Sequence, residues 1–179
     1  MSASYSRVIT ADFDGNGRED LFLIHPGQSE DSLASAVLYC FREGEIRRSA
    51  EVSLSAPAQE LKRVTLGKLR DGVMAVFASS SLDENNLVTD ILTAADHRVM
   101  PLQMGIQTPT LHNYYLYPQD IDADGYLELP VLRQLEVPKE AEPQYCIDWF
   151  SPDAAGEREL KLSTYHHFDD GWYFRLNPL

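Results

Sequence analysis

The chain has 179 residues, 44% of them hydrophobic, which suits a globular domain with a real core and excludes a disordered one. Its 28 acidic against 15 basic residues leave a net charge of -13, which argues against a basic grip on nucleic acid or on an anionic membrane surface. No apolar run approaches the roughly 18 residues of a membrane span, and the opening MSASYSRVITADF shows no signal peptide.

The predicted elements are strands in a repeated order. RVITADF and EDLFLI flank an acidic turn, and SAVLYCF and EIRRSAEVSL complete a first group. A short helix is expected over APAQELKR, residues 56 to 63. RVTLGKL, VMAVFA, NLVTDILTA and HRVMPLQ form a second group, and YYLYPQDI, YLELPVL, QYCIDWF and ELKLSTYHHF a third. REGE, DENN and SPDAAGE supply turns between the later runs. Gly17, Gly72 and Gly125 hold the first turn of each group at spacings of 55 and 53 residues.

VLYCF and VMAVFA are apolar on both faces, whereas EIRRSAEVSL and ELKLSTYHH are mixed, as inner and outer strands should be. The expectation is an all-β, β-propeller-like single repeat domain over 1–179, with about three four-stranded antiparallel blades. The blades fall near 6–54, 61–103 and 112–168, and 169–179 reads as the start of a further strand unit. Three blades are fewer than the about four to eight that close a ring, so a partial or open propeller, or further repeats in a longer chain, is expected.

Two turns are chemically distinctive. DFDGNGRED, residues 12 to 20, and DIDADGYLE, residues 120 to 128, align without a gap. Positions 1, 3 and 5 are Asp12, Asp14 and Asn16 in one and Asp120, Asp122 and Asp124 in the other. Position 7 offers the carbonyl of Arg18 or Tyr126, and position 9 is Asp20 or Glu128. Calcium takes about six to eight hard oxygen ligands in flexible geometry, which a tight loop with alternating acids supplies. Magnesium demands a near-ideal octahedron, and zinc would want the His or Cys that both loops lack. Two calcium ions are therefore expected. An EF-hand needs Glu at position 12 and flanking helices, but position 12 is Leu23 or Val131, and Pro130 would break a helix. Asp, Asn and Gly also make good turns without any metal.

The form DxDGxGxxDL, after one strand and before another, resembles the FG-GAP or VCBS repeat. That resemblance implies an integrin-type β-propeller with calcium in the first hairpin of a blade. Carried over, the ligands are Asp12, Asp14, Asn16 and Asp20, then Asp120, Asp122, Asp124 and Glu128. Three departures stand out: Asn16 for an acid, Glu128 for Asp, and DADG for DGDG. The middle turn, aligned on Gly72, places Gly67, Leu69, Asp71 and Ala75 at the ligand positions and is expected to be metal-free. Loop two has the larger number of carboxylates and is expected to bind more tightly.

Other polar clusters carry less. His166, His167, Asp169 and Asp170 are dense, but adjacent strand residues point to opposite faces. The aromatic stretch HNYYLYPQ, residues 112 to 119, suits packing or a sugar or peptide surface. Cys40 and Cys146 lie in apolar runs and read as small buried hydrophobes. No nucleophile motif or phosphate loop is present. The expected function is therefore a non-catalytic calcium-binding domain for extracellular or cell-surface binding or scaffolding of a protein or glycan ligand. The alternative is an enzyme domain, a glycan hydrolase or lyase, or an accessory domain of one.

Overall fold

A computed structural model gives the fold and describes residues 7–27, 32–42, 44–83, 86–95, 97–109, 115–136, 138, 144–167 and 172–176. The first sheet contains β1 (Arg7–Ala11), β2 (Asp20–His25), β3 (Leu33–Arg42), β4 (Glu45–Arg48) and β5 (Val52–Pro57). The second contains β6 (Leu61–Lys68), β7 (Met74–Ser81), β8 (Asn86–Ala95) and β9 (Arg98–Pro109). The third contains β10 (Leu129–Gln134), β11 (Tyr145–Pro152), β12 (Arg158–His167) and β13 (Trp172–Leu176). Pairing is antiparallel throughout these sheets, and strands next in sequence lie side by side, except that β5 returns to β3. The molecule is thus all-β, with three antiparallel sheets of four or five strands.

Four local outcomes differ from these expectations. The run EIRRSAEVSL is two strands, because Ser49 folds back on β3: its N–H donates to the Leu38 carbonyl at 2.8 Å and its Oγ accepts from the Leu38 N–H at 3.0 Å. The segment before the second acidic loop forms no strand over 115–118 and joins the third sheet by a single bridge, Gln119 to Glu128. Pro118, which has no N–H to give a ladder, sits in that segment. The tail 169–179, expected to begin a further unit, instead contributes β13, which pairs with β12 as the fourth strand of the third sheet. The helix expected over 56 to 63 is a single 3-10 turn at Ala58–Glu60.

Apolar side chains join the sheets. Phe22, Ile24, Ala36 and Leu38 from the first sheet pack with Val76, Ala78, Leu92 and Val99 from the second. Ala75, Phe77 and Ile91 of the second sheet pack with Leu127 and Leu129 at the start of the third. Trp149, Ile147 and Leu162 form a third cluster with Leu116. Each fully buried large side chain contributes about 1.5–3 kcal/mol. The effect is to seat the first turn of the first two sheets, and the loop that leads into the third, on packed apolar side chains.

Candidate metal centres

The two acidic loops have the same internal wiring. Asp12 accepts from the Asn16 and Gly17 N–H groups at 3.0 and 2.8 Å. Asp120 accepts from the Asp124 and Gly125 N–H groups at 3.0 and 2.9 Å. The position-5 oxygen, Asn16 Oδ1 or Asp124 Oδ1, accepts from Arg18 N–H at 2.9 Å or Tyr126 N–H at 3.0 Å. An amide oxygen and a carboxylate can both accept this bond, so Asn16 fills the same place in loop one as Asp124 in loop two. The position-9 carboxylate accepts from the N–H of position 2, Phe13 or Ile121, at 3.1 Å in both loops. Phe13 and Ile121 themselves anchor the loops in apolar clusters.

This folding gathers carboxylates. Oxygens of Asp12, Asp14 and Asp20 all lie within 4.8 Å of one another, as do those of Asp120, Asp122 and Asp124. Asn16 remains beside the first group through its N–H bonds to Asp12 and Asp14. Glu128 is not among the second group; its Oε2 accepts from the Ile121 N–H as Asp20 Oδ2 does from Phe13, and its Oε1 is buried away from solvent. Arg18 stacks its guanidinium 5.4 Å over the Phe41 ring, and Tyr126 bridges to Lys68.

Both loops hold buried oxygens with no well-formed hydrogen bond, the Cys40 thiol beside Asp20 and the Ser151 hydroxyl beside Glu128 being weak neighbouring donors. These are Asp20 Oδ1, Asp122 Oδ1 and Glu128 Oε1, on residues that are 2% exposed for Asp20 and 0% for Glu128. Burying a carboxylate oxygen unpartnered is costly, and a bound cation would remove the cost. Burial first, then the charges of Asp14 and Asp12, push the Asp20 carboxyl above its usual range. Burial, with the charges of Asp122 and Asp124, pushes Glu128 up to about 7, against the pull of the Ile121 N–H and the Ser151 hydroxyl. The donor set is all oxygen, which fits calcium better than zinc.

Two basic groups reach the loops from elsewhere in the chain. His97 Nδ1, from the turn between β8 and β9, lies 3.1 Å from Asp14 Oδ2. Lys161 Nζ, on β12, lies 3.0 Å from Asp124 Oδ2. Across from position 9, the facing strand presents a small residue: the rungs Leu21 to Tyr39 and Leu129 to Phe150 place Cys40 beside Asp20 and Ser151 beside Glu128. Burial and Asp20 push the Cys40 thiol up to about 12, so it is a protonated neighbour. None of these four residues is adjacent to a loop in sequence, and no spacing pattern points to them.

The middle hairpin is built differently. Gly67 pairs with Ala75, whereas Ala11 pairs with Asp20 and Gln119 with Glu128, so the middle turn is one residue shorter. The alignment on Gly72 therefore holds for β7 and needs a gap before it. Leu69 is fully buried, and Asp71 accepts from the N–H groups of Val73 at 3.3 Å and Ala154 at 2.9 Å. Arg70 pairs with Asp153, and with Glu159 at 2.6 Å. Among the described residues no acidic group gathers at this turn.

The remaining candidates resolve as packing or fall outside the described residues. Cys40 and Cys146 are buried free thiols. Tyr115 and Tyr117 contact each other, and Arg63 lies 5.1 Å over the Tyr117 ring. His112 to Tyr114, Asp169 and Asp170, and the side chains of His166 and His167 lie outside the description. No protein-family model matches the chain, and comparison with curated proteins and with solved structures found no match. The likeness to FG-GAP repeats therefore stands on the loop residues alone.

Proposed function

We propose that this chain is a calcium-binding repeat domain of the FG-GAP or VCBS propeller kind, binding one ion in each acidic loop. The observation that supports this reading is the pair of buried carboxylate oxygens, Asp20 Oδ1 and Glu128 Oε1, each in an acidic loop and with no well-formed hydrogen bond. A turn folded for its own sake would leave such oxygens in water. The ions act structurally, holding together a hairpin of groups that otherwise repel.

The domain acts by binding or scaffolding rather than by catalysis. Its buried carboxylates outside the loops are engaged: Asp90 accepts from Ser55 and Gly105, and Asp148 from Arg133 and Ser163. The partner is a protein or glycan, since the net charge of -13 disfavours nucleic acid. An extracellular or cell-surface setting follows from the calcium assignment, because sites of about 0.1 to 1 mM affinity fill there and stay empty in cytosol.

Titration calorimetry with calcium tests the assignment. Two sites are expected in the parent chain and one in each of Asp14→Ala and Asp122→Ala. No binding at millimolar calcium overturns the reading. Fractionation of cells expressing the natural full-length product tests the setting, and a wholly cytosolic product rules it out.

A further inference from the structure

We infer that Lys161 is a tethered cation that competes with the metal at loop two and so sets that loop's affinity. The inference rests on the calcium reading above and adds what regulates one of its two sites.

The strand geometry that delivers Lys161 is specific. Trp149 pairs with Leu162 and Phe150 with Leu160, so Lys161 is the extra residue of a β-bulge. A bulge breaks the alternation of a strand and re-aims one side chain. Here the re-aimed ammonium reaches Asp124 Oδ2 at 3.0 Å with its side chain only 25% exposed.

The second sheet has a bulge at the same place. Ile91 pairs with Gln103 and Leu92 with Pro101, which makes Leu102 the extra residue. The rungs Val76 to Leu92 and Leu129 to Phe150 show that the two bulges stand level with each other relative to their hairpins. Leu102 packs in the cluster that contains Leu69 and Val73 of the metal-free turn. The bulge residue thus matches its hairpin: a leucine with an apolar turn, a lysine with an acidic one. At the corresponding place in the first sheet stands Ser49, which is bonded back to Leu38.

Lys161 does not satisfy loop two. It engages Asp124, while Asp122 Oδ1 and Glu128 Oε1 remain buried with no well-formed hydrogen bond. One monovalent charge covers one carboxylate and leaves the others for a divalent ion. Calcium entering the loop must therefore separate Lys161 from Asp124 or bind alongside a positive charge, and both weaken it. The carboxylate count, which favours loop two, is offset by this charge. In the metal-free protein the same contact holds the loop together.

The test uses the full chain carrying Asp14→Ala, so that loop two alone is read. Lys161→Met keeps the apolar stem and removes the charge, and Lys161→Gln is the second variant. Calcium alone is titrated by calorimetry, and melting is followed in chelator and in millimolar calcium. Both variants are expected to bind calcium about fivefold to tenfold more tightly, the effect of losing one screened like charge. They should melt lower in chelator, with the deficit vanishing in calcium. Unchanged or weaker affinity, with an equal melting deficit in both conditions, marks an ordinary structural ion pair and overturns the inference. No binding by the Asp14→Ala chain or either variant overturns the calcium reading of loop two itself.

Discussion

The acidic hairpins and the middle hairpin occupy equivalent places in their sheets and close by opposite means. Loops one and two turn carboxylates inward on one another and leave buried oxygens with no well-formed hydrogen bond. The middle turn buries Leu69, shortens by one residue and ties its polar groups to the third sheet through Arg70 and Asp71. The difference lies in what ties each turn down. An apolar plug with ion pairs does so in one case, and a cation is the proposed tie in the others.

The comparison breaks most readily on metal removal. Calcium at 100 times the dissociation constant should add about 2.7 kcal/mol per site, and about 5 kcal/mol for two independent sites. Chelator should lower the melting temperature accordingly, and magnesium should restore it less fully than calcium. Asp71→Ala should leave calcium binding unchanged in calorimetry, because its partners are protein N–H groups. Loss of a site in that variant would show that the middle turn is not the metal-free control.

A steric test comes next. Gly67 lies so close to Leu127 of loop two that an added methyl would overlap that side chain. Gly67→Ala should destabilise the chain by about 1–3 kcal/mol in denaturant unfolding, the usual cost of overpacking. An unchanged midpoint would mean that the middle hairpin does not press on loop two.

A carboxylate with the opposite shift sharpens the contrast within the third sheet. Burial pushes Asp148 up, but hydrogen bonds from Arg133 and Ser163 outweigh it and hold the carboxyl below its ordinary 3.8. A lowered folded value stabilises above the unfolded value and stops doing so as pH falls through the folded one. Stability should therefore drop as pH falls below about 3.8 through this group, and Asp148→Asn should flatten that part of the profile at a cost of about 1–2 kcal/mol at neutral pH. Equal acid sensitivity in parent and variant, measured in chelator, would remove Asp148 from the account.

The smallest effect concerns the backbone of the loops. Ala123 sits at φ 62° where loop one has Gly15 at 73°. A left-handed alanine is strained, and glycine is not. Ala123→Gly should leave loop two's stability unchanged or raise it by up to about 1 kcal/mol in metal-free melting. A clear loss would show that the alanine methyl makes a contact worth more than the strain.

Most of the strand runs, the two acidic turns and the odd middle one were legible in the residues alone. Each rests on short-range chemistry: alternation along a strand, glycine at a left-handed turn, and carboxylates at every second position. Tertiary structure decided the rest. Lys161, His97, Cys40 and Ser151 meet the loops across strands or from another sheet, and nothing in their local sequence announces it. The split of the first sheet's outer run at Ser49 depended on a side chain replacing a ladder bond. The one-residue shortening of the middle hairpin depended on strand register, which packing sets and which a reading from Gly72 alone does not contain. Glu128 shows the same division: its place in the loop was legible, but only the folded loop shows Asp120, Asp122 and Asp124 gathered with Glu128 buried beside them.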